Sequence, residues 1–556
     1  MPLHRRHFLA GSAASLAAGA AGARISAAGA SAGQQRALAA IADYLEVHRR
    51  HFGLPGLGLI IVDGAFTAIV TSGTRDYRET VPLADSDLWQ IGSISKSFIA
   101  LICLQLAGEG KMTLDADIRS VLPEAALPGG APFTIRGLLD HTTGLPDFAP
   151  EFGMDGGTLW RGFEPGAHWY YSNTGYDLLG AAIARIEGRP VGEVIEARIA
   201  RPLGMAATRG AIRWRDRARY PASYAPLRPD LPTLQRMALA PAPWVDAALA
   251  AGSVASTLPD IARYLRYLIN AGQGRGAPLL SDAAAAAWLA NPVLQDPAVK
   301  DELYGLGLMH RFDEGRRLLH HTGGMVSFSS SFHVDAAAGT GAFASCAVGG
   351  INYRPRLLTR FAVKALRLAR AGAAIPAPPS LGPDAVKPAD YAGRYVARDG
   401  SGFTITPGLA LAAAGTSAAI EAPSPDALLT AHPGFDAFPL LAVRAGKQGP
   451  VVALDHGSRR YARDGATAPA LPPTPPGLAA LAGRYQSDDP WIGGVTLVAR
   501  GDTLYAGGTD ALADMGNGLW RPAEPQWSPE RLRFTGFVDG RPQLLVFSGR
   551  PLERRD

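Results

Sequence analysis

Three regimes of hydrophobic patterning succeed one another along the chain. Between residues 34 and 52, Leu38, Ile41, Leu45 and Val47 fall broadly on one side of a helix, which Gly53, Pro55 and Gly56 end. Apolar runs at 57–62 and 65–71 flank Asp63-Gly64, a favoured two-residue turn, and predict a hairpin. A helix opens at Ser93 and runs into the apolar stretch Ile99, Ala100, Leu101, Ile102, Cys103, Leu104. Short helices and loops then extend to about residue 300, where strand-like runs return at 304–309, 317–321, 327–334 and 342–348. Residues 354–371 form a helix that is basic on one face and apolar on the other. A strand pair, a helical middle, further strands and a closing helix describe an α/β sandwich carrying an all-α lobe.

Past this unit the pattern changes. Residues 373–388, with Pro376, Pro378, Pro379, Pro383 and Pro388, read as a linker, and 466–477, with Pro469, Pro472, Pro473, Pro475 and Pro476, as a second. The segments after the two linkers begin alike: Tyr391-Ala392-Gly393-Arg394-Tyr395 echoes Leu481-Ala482-Gly483-Arg484-Tyr485. Two copies of a unit of roughly 75 residues, rich in glycine turns and short apolar runs, predict two small antiparallel β-barrels. The expected organisation is a catalytic unit over 34–372 and barrels over 389–465 and 478–556.

Length agrees, since 556 residues exceed one core and about three domains are expected. With 47% hydrophobic and 19% charged residues, the chain is neither disordered nor a collagen-like polymer. Residues 1–30 read as an export signal: Arg5-Arg6-His7-Phe8-Leu9 is a twin-arginine signature, followed by a weakly hydrophobic Ala/Gly/Ser stretch. That stretch is too short and mild for a stable membrane span, and it predicts a periplasmic or extracellular protein. Removing it takes Arg5, Arg6 and Arg24 from a net charge of +5 and leaves about +2, which gives no electrostatic case for nucleic acid. Cys103 and Cys346 lie in apolar runs and read as buried free thiols, with a disulfide as the alternative. No Cys/His cluster has metal spacing; His320 and His321 would face opposite sides of a strand.

The chemistry concentrates at Ser93-Ile94-Ser95-Lys96. On a helix, i and i+3 share a face, so the Ser93 hydroxyl and the Lys96 amine can meet. Of 54 basic residues only six are lysines, so lysine stands where arginine will not serve. Arginine stays charged, whereas a desolvated lysine can become a neutral amine and act as a base for a serine nucleophile. The structural alternative is a helix start, with Ser93 as cap and Lys96 reaching to solvent. Three further patches bear on the choice. In Tyr171-Ser172-Asn173 a phenol able to shuttle a proton stands near an amide able to orient Lys96, though the segment Trp169 to Tyr176 also suits a packed aromatic turn. His321-Thr322-Gly323-Gly324 reads as a strand with glycines where another backbone can approach, its histidine structural if taken alone. Asp140-His141-Thr142-Thr143-Gly144-Leu145-Pro146 reads as a helix end and turn braced by His141.

Together these residues resemble the serine β-lactamase and penicillin-binding-protein-like hydrolases, in the branch holding class C β-lactamases, D-aminopeptidases and related esterases. The resemblance runs from about Leu57 to Ala371 and rests on Ser93-x-x-Lys96, Tyr171-Ser172-Asn173 and His321-Thr322-Gly323 in that order. The two-barrel tail is similar, more weakly, to the D-aminopeptidase subgroup. The resemblance implies Ser93, Lys96 and Tyr171 as catalytic residues, and Asn173, His321, Thr322 and Gly323 as substrate-orienting ones. It also implies an oxyanion hole from the backbone N–H groups of Ser93 and Gly324. It calls for no cofactor and no metal, takes a small-molecule or peptide substrate, and leaves oligomeric state open. Relatives that open penicillins carry a lysine where this chain has His321, which is largely neutral above about pH 6.5. The expectation is therefore an exported D-amino-acid peptidase or amidase, with a promiscuous carboxylesterase, a weak β-lactamase or a non-catalytic cell-wall or D-peptide binding protein as alternatives. The Asp488-Asp489-Pro490-Trp491 turn of the last barrel either reaches the cleft to read a substrate amine or is simply solvated.

Overall fold

The protein, seen here as a computed structural model, is described over residues 22–555 apart from 79, 151–157, 352, 383–385 and 448. The Arg5-Arg6 signature lies outside the described residues. The end of the expected export segment forms strand β1 (Arg24–Ala27), which pairs antiparallel along β3 (Phe66–Gly73) and is exposed throughout. Between them stand helix α1 (Ala32–His51) and strand β2 (Gly56–Asp63).

Alternation along β2 explains the layering. Leu57, Leu59 and Ile61 join one apolar cluster with α1 and the closing helix Arg356–Arg370. Ile60 and Val62 join another, with the helices Ser95–Gly108 and Leu258–Gly272. Successive strand side chains point to opposite faces, and here both faces are covered, so all of β2 is buried. The sheet has nine strands; beyond β3 and β2 come β9 (Thr340–Cys346), β8 (Ser329–Asp335), β7 (Arg316–Gly324), β6 (Leu308–Asp313), β5 (Glu302–Gly305) and β4 (Val293–Leu294). Every neighbouring pair is antiparallel.

Several boundaries differ from the expected ones for identifiable reasons. The β2–β3 turn is Gly64-Ala65, because Asp63 stays in the strand, accepting from Gln34 Nε2 at 2.8 Å and pairing with Arg370. The run 304–309 is broken at Leu306 (φ 42°) and Gly307 (φ 82°), which form the tight turn between β5 and β6. A Cβ at Gly307 would come within 2.7 Å of the Lys96 carbonyl oxygen, so this turn packs directly on the helix carrying Lys96. Leu38, Ile41 and Leu45 of α1 are buried as expected, but Val47 is half exposed at 50%.

Each tail copy closes into an eight-stranded antiparallel barrel, over residues 393–463 and 483–554. The repeated pentapeptide has a structural meaning. Tyr395 and Tyr485 are fully buried, and each hydroxyl donates to the carbonyl four residues earlier, Tyr391 at 2.8 Å and Leu481 at 2.9 Å. A closing-strand arginine, Arg463 or Arg554, donates to the carbonyl of Ala392 or Ala482. The second barrel docks on the helical lobe: Trp160 Nε1 donates to the Pro529 carbonyl at 2.6 Å, and His168 stacks on Trp527 at 4.4 Å.

Candidate active site

The helix Ser95–Gly108 (α2) has eleven of its fourteen residues buried, as its near-uniform apolarity demands. It starts two residues later than its sequence suggests. Gly92–Ile94 forms a 3₁₀ turn, and Ser93 sits on that turn instead of capping the α-helix. Gly92 has φ 56°, and a Cβ there would meet the Gly324 nitrogen at 2.6 Å, so this turn lies against the end of β7. A Cβ on Gly323 would collide with the Ile91 carbonyl oxygen. The two glycines of β7 thus permit the close backbone approach that brings Gly324 beside Ser93.

Lys96 is wholly buried. Its ammonium donates to Asn173 Oδ1 at 2.6 Å, to the Ala251 carbonyl at 2.9 Å and to Ser93 Oγ at 3.3 Å. The Tyr171 and Tyr176 rings lie 4.7 and 5.2 Å from Nζ. Burial pushes this amine down to about 7, against the opposing pull of Asp147 and Asp177. Lys96 therefore does not reach to solvent.

Asn173 opens the helix Asn173–Glu187 (α3), which Ser172 caps by accepting from Gly175 N at 3.0 Å while donating to the Pro146 carbonyl at 2.8 Å. Asp147 Oδ1 accepts from both the Asn173 backbone N–H (2.9 Å) and Nδ2 (2.8 Å), which leaves Oδ1 of Asn173 facing Lys96. Burial raises the Asp147 carboxyl above the usual range, while the Asn173 backbone N–H and Lys96 hold it back. Tyr171 precedes the cap, and its hydroxyl bonds Ser93; burial raises its phenol far above 10, so it stays protonated. His141, with φ 61°, accepts from Ser172 N through Nδ1 at 3.1 Å and lies 4.5 Å from the Tyr171 ring.

His321 lies behind the cleft. It is 1% exposed; its Nδ1 faces the Thr322 carbonyl at 2.6 Å and its Nε2 the Tyr304 hydroxyl at 3.2 Å. A carbonyl only accepts, so Nδ1 carries the hydrogen and Nε2 is the acceptor. Burial pushes the imidazole down to about 3. His320 points to the opposite face and stacks on His333 at 4.9 Å.

Ser93, Asn173 and Gly324 border a cleft of about 300 Å³ whose lining also includes the acids Asp177, Asp246 and Asp489 and the cation Arg550. The turn 488–491 reaches it through Asp489 and Trp491, and Asp489 pairs with Arg550 at 3.6 Å. Asp488, by contrast, is 98% exposed. Sequence reasoning missed three residues here. Asp147 directly follows Pro146 in a segment treated as structural, and Asp177 is one helical turn beyond Asn173. Arg354, just before the closing helix, donates to Ser329 Oγ at 3.0 Å and lies against Gly324, where a Cβ would collide with Nη2. No local pattern marks Arg354.

The model of the β-lactamase family matches residues 40–355, more than half of the chain. Over 161 residues the chain is 31% identical to the esterase EstB of Burkholderia gladioli, covering 24% of this chain and 41% of that protein. It is 29% identical over 180 residues to the D-alanyl-D-alanine-carboxypeptidase/endopeptidase AmpH of Escherichia coli, covering 28% and 45%. The chain thus spans less than half the length of these curated relatives. Among solved structures, the octameric penicillin-binding protein homologue of Pyrococcus abyssi is similar in fold, with TM-score 0.54 and 22% identity over 76% of this chain and 99% of that one. No helix among the described residues is long and apolar enough to cross a membrane. The matched region holds the serine, the buried lysine and Asn173, which accepts from that lysine, and the chain belongs to the β-lactamase family of serine hydrolases.

Proposed function

We propose that the protein hydrolyses amide or ester bonds through an acyl-enzyme on Ser93, and that its preferred substrates are amides or peptides of D-amino acids with a free amine. The observation that carries the first part is the wholly buried amine of Lys96, 3.3 Å from Ser93 Oγ and 2.6 Å from Asn173 Oδ1. A neutral Lys96 takes the hydroxyl proton as Ser93 Oγ bonds to the substrate carbonyl carbon. The backbone N–H groups of Ser93 and Gly324 receive the developing oxyanion, and the Arg354 guanidinium adds positive charge beside them. Tyr171 passes a proton to the leaving amine or alcohol as its bond to carbon breaks. Water, deprotonated through the same pair, then releases the acid and restores Ser93.

The acidic lining supports an amine-bearing substrate, since Asp246 and Asp489 line the same cleft as Ser93. His321, neutral and engaged on both nitrogens, supplies no cation for a substrate carboxylate, which supports weak turnover of penicillins. Similarity to EstB favours a second reading, a carboxylesterase using the same residues. Export by the twin-arginine route belongs to this proposal and rests on Arg5-Arg6. One panel tests it: D- and L-alanine p-nitroanilide, p-nitrophenyl acetate and a chromogenic cephalosporin, with Ser93→Ala as control. Fastest turnover of the D-anilide is expected. Turnover surviving Ser93→Ala overturns the nucleophile, and a strong preference for the acetate ester replaces the amidase reading with the esterase one.

A further inference from the structure

The two barrels share a register but not an interior. Tyr395 faces Phe403 across its first strand pair, and the matching Tyr485 faces Val495. One strand further, Ile405 faces Leu411 where Leu497 faces Ala506. In the closing strands Leu454 faces Tyr461 where Leu545 faces Leu552. Each step replaces a larger side chain of the first barrel by a smaller one in the second.

The consequences for packing are direct. In the first barrel Phe403 packs against Phe435 at 4.7 Å and Tyr461 at 5.1 Å, and these rings plug the interior. In the second, Val495, Ala506 and Leu552 all line a cavity of about 720 Å³. An eight-stranded barrel has an interior that side chains just fill or that holds one small ligand, and ligand sites commonly measure about 300–1,000 Å³. The wall is mostly apolar, including Leu512, Leu532 and Phe547, with the hydroxyls of Thr509 and Ser528 among it, whereas the exposed acids Asp510 and Glu524 also line it. Tyr170 of the catalytic lobe completes the wall, next in sequence to Tyr171.

We propose that the interior of the second barrel is a binding site for one small apolar molecule with a neutral or cationic polar end. The large-to-small replacements at 495, 506 and 552 open it, the apolar wall takes the body of the ligand, and Asp510 and Glu524 select against an anionic end. The site is separate from the Ser93 cleft, and its occupancy does not depend on the activity proposed there.

The experiment uses the full chain, because Tyr170 forms part of the wall, and N-phenyl-1-naphthylamine as a neutral fluorescent probe. Saturable binding at one site per chain is expected, displaced by dodecyltrimethylammonium at least tenfold more effectively than by dodecanoate. Restoring the residues of the first barrel, with Val495→Phe, Ala506→Leu and Leu552→Tyr together, is expected to abolish probe binding while Ser93-dependent hydrolysis persists. Ala506→Leu alone, expected to weaken the probe at least tenfold, serves if the triple variant does not fold, with near-ultraviolet circular dichroism reporting the fold. Absence of saturable binding, binding unchanged by a folded cavity-filling variant, or preferential displacement by dodecanoate overturns the proposal.

Discussion

Glu530 Oε1 accepts the backbone N–H of Asp147 at 2.8 Å, joining the second barrel to the residue that holds Asn173 on Lys96. Glu530 is itself buried and bonded by the Ser548 hydroxyl. The link makes a distant domain part of the frame around the lysine. Replacing Glu530 by Ala leaves the Asp147 N–H without its partner, a cost of about 1–3 kcal/mol for a buried donor. We expect kcat to fall about tenfold at little change in KM, with Glu530→Gln retaining more of the activity because its amide oxygen still accepts. Steady-state kinetics of the two variants check this.

Lys96 is expected to act only when neutral. With its amine held down to about 7, the basic form grows as pH rises through that value, so kcat/KM should climb through pH 7 and level above it. Lys96→Arg keeps a cation but loses the base, and activity should drop by about 10²–10⁴-fold, measured on the D-anilide.

Gly323 and Gly324 should fail differently. A Cβ at Gly323 would strike the Ile91 carbonyl, which cannot move without shifting the 3₁₀ turn beneath Ser93. Gly323→Ala should therefore destabilise by about 1–3 kcal/mol, read from denaturant unfolding. At Gly324 the obstacle is the far end of Arg354, which can swing away. Gly324→Ala should fold nearly as well yet lose rate as Arg354 and the oxyanion position are disturbed.

Acid should unfold the protein through its buried histidines. Burial pushes His48, His310, His321 and His333 down to about 3. Between pH 6.5 and 3 the unfolded chain takes up protons at these sites that the folded chain refuses, so stability falls as pH drops through that window. His321→Gln removes one such site. Its unfolding free energy should vary less steeply with pH than that of the unmodified protein, measured by urea titration at pH 4, 5 and 7.

Asp489 should matter for amines alone. Asp489→Asn is expected to raise KM for D-alanine p-nitroanilide several-fold while leaving p-nitrophenyl acetate nearly unaffected. An equal effect on both substrates would assign Asp489 to holding Arg550 instead of reading the substrate.

Much of this was legible along the chain because local rules specify it. A serine and a lysine three residues apart meet, the apolar run at 57–62 marks strand β2, and a repeated pentapeptide marks the start of each barrel. What the chain did not disclose are contacts between segments far apart in order. Asp147 and Asn173 are 26 positions apart, and Asp147 and Glu530 are 383 apart. Arg354 lies on Gly324 only because the sheet and the closing helix bring these distant segments together. The amine of Lys96 owes its lowered affinity for protons to burial, and desolvation is a property of the enclosure that no single segment carries. Residue types and short spacings therefore pointed to the proposed reacting groups, whereas packing among distant segments set their protonation, their supports and the acids that share their cleft.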